Sequence, residues 1–573
     1  MGNSNADVVD VALILSLSKD ESGSSVMTVA VKGDRDADSS VWRFVKSRKS
    51  PSVIAWQWRG GEMATMGYRF RGLAIYAGAL LALLGGPAGA ATAPLTPEAR
   101  TAARFDAVVH DHAQLRLFLR AMPKGGDLHN HLSGAPYAED FLAWAAADGL
   151  CVTTGPLPAI VAAPCDAPGK APVLGLTTRD PALYGRAINS LSMRNYNPGA
   201  DGALASGHDQ FFSTFARFGI VADSHLPAML AVVREYAAAD HVGYVETSAN
   251  PTAMSAFARA GAATPWDGDF DRALTALQPK IPALVAQARQ EMDAAEVEAD
   301  RRQGCDLQRP RTGPCAVVLG YQAFAVRVRP PGAVFAQLVA AFALADADPR
   351  FVGVNIVAPE DDPTSLSDYA LHMRMFQFLH GRYPKVKLSL HAGELALGLV
   401  PPRDLRFHIR QAVEVAGASR IGHGVDIAHE DDAPALLARM AHDHVAVEIN
   451  LTSNDVILGV KGADHPLALY RKAGVPVVLS TDDEGVSRID MTNEYLRGAV
   501  EQGLRYLDLK AMARASLEYS FLPGDSLWTS GRTPVAACVK AGPACDRFLA
   551  KSPKATAQQR LEHEFAAFEA GQR

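Results

Sequence analysis

Four stretches in the second half of the chain read VKLSLHAGE (386–394), RIGHGVD (420–426), VAVEINLTSN (445–454) and VPVVLSTDDEG (475–485). Each is a short apolar or β-branched run that ends in a polar or charged tip, and helical stretches at 404–416 and 432–441 lie between them. Working outward, GGDLHNH (125–131), VGYVETS (242–248), AVVLGYQAFAV (316–326) and FVGVNIVAPE (351–360) repeat the pattern upstream, with another helical stretch at 334–345. Eight such runs alternating with helices predict a parallel α/β sheet, and eight is the number that closes a (β/α)8 TIM barrel. The polar tips then fall at the C-terminal ends of the strands, where barrel active sites form. Two insertions account for the extra length, one at about 135–240 after the first strand and one at about 250–315 after the second, both expected to be helical. The second contains a long helical stretch, 269–299, and a loop bracketed by Cys305 and Cys315; the Ala/Gly/Pro-rich segment 155–172 reads as loop.

The front of the chain reads differently. Residues 72–84, GLAIYAGALLALL, follow Arg69 and Arg71 and precede the small residues Ala88, Ala90, Ala91 and Ala93. Thirteen apolar residues are too few to span about 30 Å of hydrocarbon. A basic, an apolar and a small-residue region in that order read as a secretory signal peptide. The expected organisation is therefore an extension without a fold at 1–62, a signal peptide at 63–93 and one catalytic domain at 94–573, periplasmic or secreted and free of the membrane after cleavage. All six cysteines lie beyond that point in three close pairs, Cys151 with Cys165, Cys305 with Cys315 and Cys538 with Cys545, and no CxxC occurs. Local disulfides in an oxidising compartment fit this pattern better than zinc or redox chemistry. With 56 Lys plus Arg against 62 Asp plus Glu, and no polybasic block, the chain is too acidic for a protein that binds a nucleic-acid backbone.

The chemistry collects at the strand tips. His129 and His131 are two apart on a predicted strand, so both imidazoles leave the same face. An HxH is weak alone. It gains weight because His391 ends the fifth run with Glu394 three residues on, His423 sits between two glycines in the sixth, and Asp482 and Asp483 end the eighth. Three imidazoles and a carboxylate suit zinc, with a position left for water. Neither a P-loop nor GxGxxG is present, and the HxE/PCxxC signature of cytidine-type deaminases is absent.

MPKGGDLHNHLSG, HAGE, RIGHGVD, LTSN and STDDEG, in this order, resemble the adenosine deaminase family of metal-dependent amidohydrolases over about residues 122–522. The added glycine in MPKGGDLH and the VGVNIVAPED stretch resemble its secreted, growth-factor-type branch. The resemblance implies one Zn2+ per chain, held by His129, His131, His391 and Asp482. It implies that Glu394 protonates the purine ring nitrogen and that His423 and Asp483 hold and deprotonate the attacking water. His131, Ser133, Ala358 and Asp483 would contact the substrate. Two positions depart from the pattern: many family members carry an aspartate where Ser133 stands and a glycine where Ala358 stands. Phe211, Phe212, Phe215 and Phe218 recur at helical spacing, the mark of a core face, with cover over the nucleoside as the alternative; His208, His225, His408 and His465 read as packing or surface histidines. The expected activity is hydrolytic deamination of adenosine and 2′-deoxyadenosine, on a small-molecule purine nucleoside with no nucleic-acid partner; a homodimer is one assembly open to it. The rival readings are a deaminase of another aminopurine (adenine, an adenosine thioether or AMP) and a secreted metal-containing binding protein.

Overall fold

In a computed structural model the eight runs are eight strands: β1 (Gly125–His131), β2 (Val242–Ser248), β3 (Val318–Val326), β4 (Phe351–Val357), β5 (Ser389–Ala392), β6 (Arg420–His423), β7 (Ala446–Ile449) and β8 (Val477–Leu479). The structure describes residues 12–19, 25–32, 41–45, 55–57, 95–197, 206–263, 266–530 and 533–572. The strands pair in parallel as two arcs, β1-β2-β3-β4 and β5-β6-β7-β8. Single bridges close the ring, Val354 with Leu388 between β4 and β5 and Asn130 with Asp482 between β1 and the chain after β8. At that second seam Asp482 N–H donates to the His129 carbonyl at 2.8 Å, and His131 N–H donates to the Asp482 carbonyl at 3.2 Å. The chain is a (β/α)8 barrel, and its closing seam runs through three of the residues singled out above.

Helices connect the successive parallel strands, which need connections long enough to cross back over the sheet. Pro331–Ala347, apolar on every side, is buried along most of its length between the helices Thr252–Ala262 and Pro363–His380, which explains why it needs no polar face. The expected helix at 404–416 is broken. A 3-10 turn, Pro402–Leu405, follows Pro401, and after Phe407 a short α-helix, His408–Gln411, continues as a π-turn, Ala412–Ala416. The break turns His408 inward, where it is fully buried.

The first insertion needs correction, and the second follows its expected course of long helices and a cysteine-bracketed loop. In the first, Cys151–Thr153 pairs antiparallel with Ile160–Val161 and with Lys170–Pro172, so part of the expected loop 155–172 is sheet pinned by the Cys151–Cys165 disulfide. The second holds the helices Thr252–Ala262, Phe270–Leu277 and Ile281–Gln303, then 3-10 turns bracketed by Cys305–Cys315. Cys538–Cys545 is the third disulfide, so all three expected local pairs form. Two compact units divide the chain at Thr92/Ala93. In the first, Ala12–Lys19, Ser25–Lys32, Val41–Val45 and Ala55–Gln57 pair as an antiparallel sheet in sequence order. The expectation of no fold over 1–62 did not anticipate these strands, whose Val- and Leu-rich alternation favours a pleated backbone. The expected signal peptide at 63–93 lies outside the described residues. Among the described residues no single helix is long and apolar enough to cross a membrane.

Candidate active site

Three imidazoles and one carboxylate converge at the C-terminal mouth of the barrel. His129 Nε2 and His131 Nε2 each lie 3.1 Å from His391 Nε2, while Asp482 Oδ1 lies 3.2 Å from His131 Nε2 and 3.4 Å from His129 Nε2. Donor atoms around one ion with bonds of ~2.0–2.1 Å are spaced roughly 2.9–3.6 Å apart, so the set has the span of a first-row divalent metal. Hydrogen bonding supports the same conclusion. His129 Nδ1 pairs with Glu448 Oε2 at 2.7 Å and His391 Nδ1 with Asn355 Oδ1 at 3.0 Å. With those protons on Nδ1, the two Nε2 lone pairs face one another, an arrangement that a shared cation relieves. Burial opposes protonation of His129, yet Asp482 and Glu448 push its pKa up to about 10, so these carboxylates favour a positive charge at this point. Glu448 stays ionised: against its burial, Arg420 and His129 hold it down at about 2.

The adjacent aspartates pose a geometrical problem that the backbone solves. On a regular strand Asp482 and Asp483 would point to opposite faces. Here β8 has ended at Leu479, Asp482 takes a left-handed φ of +59°, and Asp483 begins the short helix Glu484–Ser487. Both side chains therefore reach the same mouth. Gly134 makes room for the second, since a Cβ there would lie 1.6 Å from Asp483 Oδ1. Gly422 does the same for His129, whose Cε1 would stand 2.6 Å from an added Cβ. Burial, reinforced by the negative charge of Asp482, lifts the Asp483 carboxyl well above the ordinary carboxylate range.

Glu394 is held from behind. Glu360 accepts the backbone N–H groups of Gly393 and Glu394 at 3.1 and 2.9 Å, pairs with His408 Nδ1 at 2.6 Å, and faces Arg327 Nη1 at 3.6 Å. Arg327 in turn donates through Nη2 to the His391 carbonyl at 3.0 Å. Burial, with the negative charges of Asp482 and Glu360, raises the Glu394 carboxyl well above its ordinary value, the direction a proton donor needs.

These groups open on a cavity of about 350 Å3. His131, Ser133, Ala358, His391, Glu394, His423, Asp482 and Asp483 all line it. Of the sequence-predicted site residues only His129 does not, because it lies beneath the other ligands. Phe211, Phe212 and Phe215 of the helix Gly207–Ala222 form one wall, whereas Phe218 packs away from it, stacked on Phe141. The aromatic run is thus both core and cover. Ala358 sits at φ +88°, backbone that a side chain rarely adopts, directly on the cavity wall. His208 pairs with Asp361, His225 with Asp148, and His408 and His465 are buried, all outside the metal quartet.

Sequence reading missed Asn355, Glu448, Arg327 and Glu360, and it gave no role to Asn454 within LTSN. A signal was present for the first two, because a polar residue in the middle of an otherwise apolar barrel strand (FVGVNIV, VAVEIN) must find a buried partner.

The family model described as adenosine deaminase matches residues 224–527. The adenosine deaminase of Serratia proteamaculans is 36% identical over 146 residues, 25% of this chain and 41% of that protein. That of Shewanella loihica is 37% identical over 113 residues, 20% of this chain and 33% of that one. The matched stretches thus span well under half of either relative. Among solved structures, the adenine deaminase of Arthrobacter aurescens is 16% identical, covers 78% of this chain and 99% of its own, and superposes with a TM-score of 0.47. The family match extends over more than half of the chain and takes in β2 through β8 with their polar tips, and the chain belongs to the adenosine deaminase family.

Proposed function

We propose that this protein is a zinc-dependent aminohydrolase of the secreted, growth-factor-type branch, acting on adenosine and 2′-deoxyadenosine to give inosine or 2′-deoxyinosine and ammonia in the periplasm or outside the cell. The observation that carries the reading is one cavity lined by Glu394, Asp483 and three members of a four-donor metal set, the fourth being the buried His129. His129, His131, His391 and Asp482 would hold the ion. When bound, zinc lowers the pKa of a coordinated water towards ~7 and so makes hydroxide available at neutral pH. Glu394 delivers its proton to the ring nitrogen beside the amino-bearing carbon, which makes that carbon electrophilic. Asp483 takes the proton lost by the attacking water and passes it to the amino group, which leaves as ammonia, while His423 orients that water. The apolar wall of Phe212, Phe215 and Phe324 matches a purine face.

Among the described residues that line the cavity none is Lys or Arg, which favours a nucleoside over its 5′-phosphate. Ser133 can bond a sugar oxygen but lacks the charge-assisted hydrogen bond of a carboxylate, roughly twice as strong as a neutral one. Discrimination is therefore expected at the purine and not at the sugar. The test is ammonia release from purified protein across adenine, adenosine, 2′-deoxyadenosine, 5′-deoxyadenosine and AMP, with and without chelator. Activity on the three nucleosides within about 100-fold of one another in kcat/KM (about 2.7 kcal/mol), abolished by chelation, is the expected result. A preference for AMP or adenine, or metal binding without turnover, would move the reading to one of its rivals.

A further inference from the structure

A packing histidine is wired to His423 through one asparagine. Leu467, at the start of the helix Leu467–Ala473, donates its backbone N–H to His465 Nδ1 at 3.2 Å. His465 Nε2 lies 3.0 Å from Asn454 Oδ1, and Asn454 Nδ2 lies 2.9 Å from His423 Nδ1. None of the three side-chain-bearing residues is more than 3% exposed.

The chain of bonds has only one consistent polarity. A backbone N–H can only donate, so His465 Nδ1 is the bare nitrogen and Nε2 carries the hydrogen. That N–H needs an acceptor, which turns the Asn454 oxygen towards His465 and its NH2 towards His423. His423 Nδ1 then accepts, and the proton of its ring is on Nε2. Rotating the Asn454 amide would reverse each bond and end with two donors facing one another at Leu467, buried and unrelieved. Glu394 Oε1 is 3.5 Å from His423 Nδ1 and meets a lone pair there, as suits a carboxyl bearing its own proton. His129 and His391 are arranged oppositely, with Nδ1 donating to Glu448 and Asn355 and a lone pair left on Nε2. His423 Nε2, left as the donor, is buried without a protein hydrogen-bond partner, 3.9 Å from Asp482 Oδ2, and its ring lines the cavity.

We propose that Asn454 and His465 are positioning residues that lock His423 as its Nε2–H tautomer, so that His423 donates a hydrogen bond to the attacking oxygen and is neither its base nor a metal ligand. This deepens the deaminase reading and rests on it for the reacting oxygen; removal of the proton then falls to Asp483 alone.

Protein labelled with 15N in its histidine rings reports the tautomer directly, with the His423 signal identified by its loss in His423→Gln. In metal-free full-length protein, His423 is expected to be protonated at Nε2 and bare at Nδ1. Asn454→Asp, whose carboxylate can only accept, should move that proton to Nδ1. Loaded with zinc, the variant should keep its metal and its KM within about twofold, while kcat falls about 10²-fold, the usual loss for one donor to a reacting oxygen. His465→Phe and His465→Gln form a second pair that adds no buried charge. The phenylalanine should lower kcat, and the glutamine, which offers Leu467 an acceptor and Asn454 a donor, should recover it. A native His423 protonated at Nδ1, or a kcat unmoved by both Asn454→Asp and His465→Phe, overturns the proposal. A native His423 protonated at Nε2 in a protein that releases no ammonia from any aminopurine nucleoside overturns the deaminase reading and leaves the tautomer lock standing.

Discussion

Asp482 and Glu394 both present carboxylates to one mouth, yet their surroundings assign them opposite charge states. Against its burial, Asp482 is held far below the ordinary range by its hydrogen bond and attraction to His129 and by the neighbouring imidazoles. Glu394, buried beside two negative charges, is held well above it. The first can ligate a cation and the second can donate a proton, and exchanging their roles would fail on both counts. Glu394→Gln should therefore keep one zinc per chain while turnover falls by about 10³-fold or more, and Asp482→Ala should lose metal and activity together. Metal analysis finding zinc lost from the first variant and retained in the second would reverse the assignment. At this scale much was legible in the sequence: the histidines, Glu394 and the paired aspartates were named from their places at strand tips. What was not legible is the layer behind them. Glu360 reaches Gly393 and Glu394 across 33 and 34 positions, and Glu448 reaches His129 across 319. No local spacing encodes such pairings, because they exist only once the barrel has closed.

The strand and helix elements followed their hydrophobic periods wherever a face had to be buried. All eight apolar runs became strands, yet the stretch at 155–172 contains sheet because Cys151–Cys165 pins it against Cys151–Thr153, and the stretch at 404–416 is split between the turn Pro402–Leu405, the helix His408–Gln411 and the π-turn Ala412–Ala416. Each disulfide joins positions 7 to 14 residues apart, so each restrains one local loop and none crosses the barrel. Cross-linking a loop of about 15 residues removes roughly 3 kcal/mol of unfolded-state entropy in the chain-entropy model. Replacing Cys151 and Cys165 together by serine should thus lower stability by about 2–3 kcal/mol in denaturant titration, and non-reducing peptide maps of the native chain should show only the three local pairs. Because no residue of the Cys151–Cys165 loop lines the cavity, KM and zinc content should be unchanged in the double variant. A shift in either would mean that the loop also shapes the cavity.

The whole molecule concentrates buried carboxyls, and this gives its stability a pH dependence of definite sign. Burial raises Glu430 and Glu494 from 4.5 to about 7, even though backbone and Thr452 hydrogen bonds pull the other way. A carboxyl whose folded pKa exceeds its unfolded value contributes stability that is complete below about 4.5 and is lost as pH rises through about 7. Tm should consequently fall between pH 5 and pH 8, and Glu494→Gln, which still offers an acceptor to Thr452, should flatten that slope; an unchanged slope would remove Glu494 from the account. The last expectation concerns where the mature chain starts. The second compact unit begins at Ala93, and its first helix, Pro97–Val108, is capped by Thr96 through a 3.2 Å bond from Ala99 N–H and anchors Phe105 fully in the core. The eight barrel strands and the helices that cover them therefore lie after residue 93, which is where the small-residue run following the apolar stretch 72–84 would be cut. Three disulfides with no free cysteine among the described residues add a second reason to expect an oxidising compartment. Terminal sequencing of the exported protein should then find a start between Ala90 and Pro94, with all three disulfides formed. An exported chain that retained Gly2 would set this account aside, because the apolar stretch at 72–84 would have crossed uncut and would need another purpose.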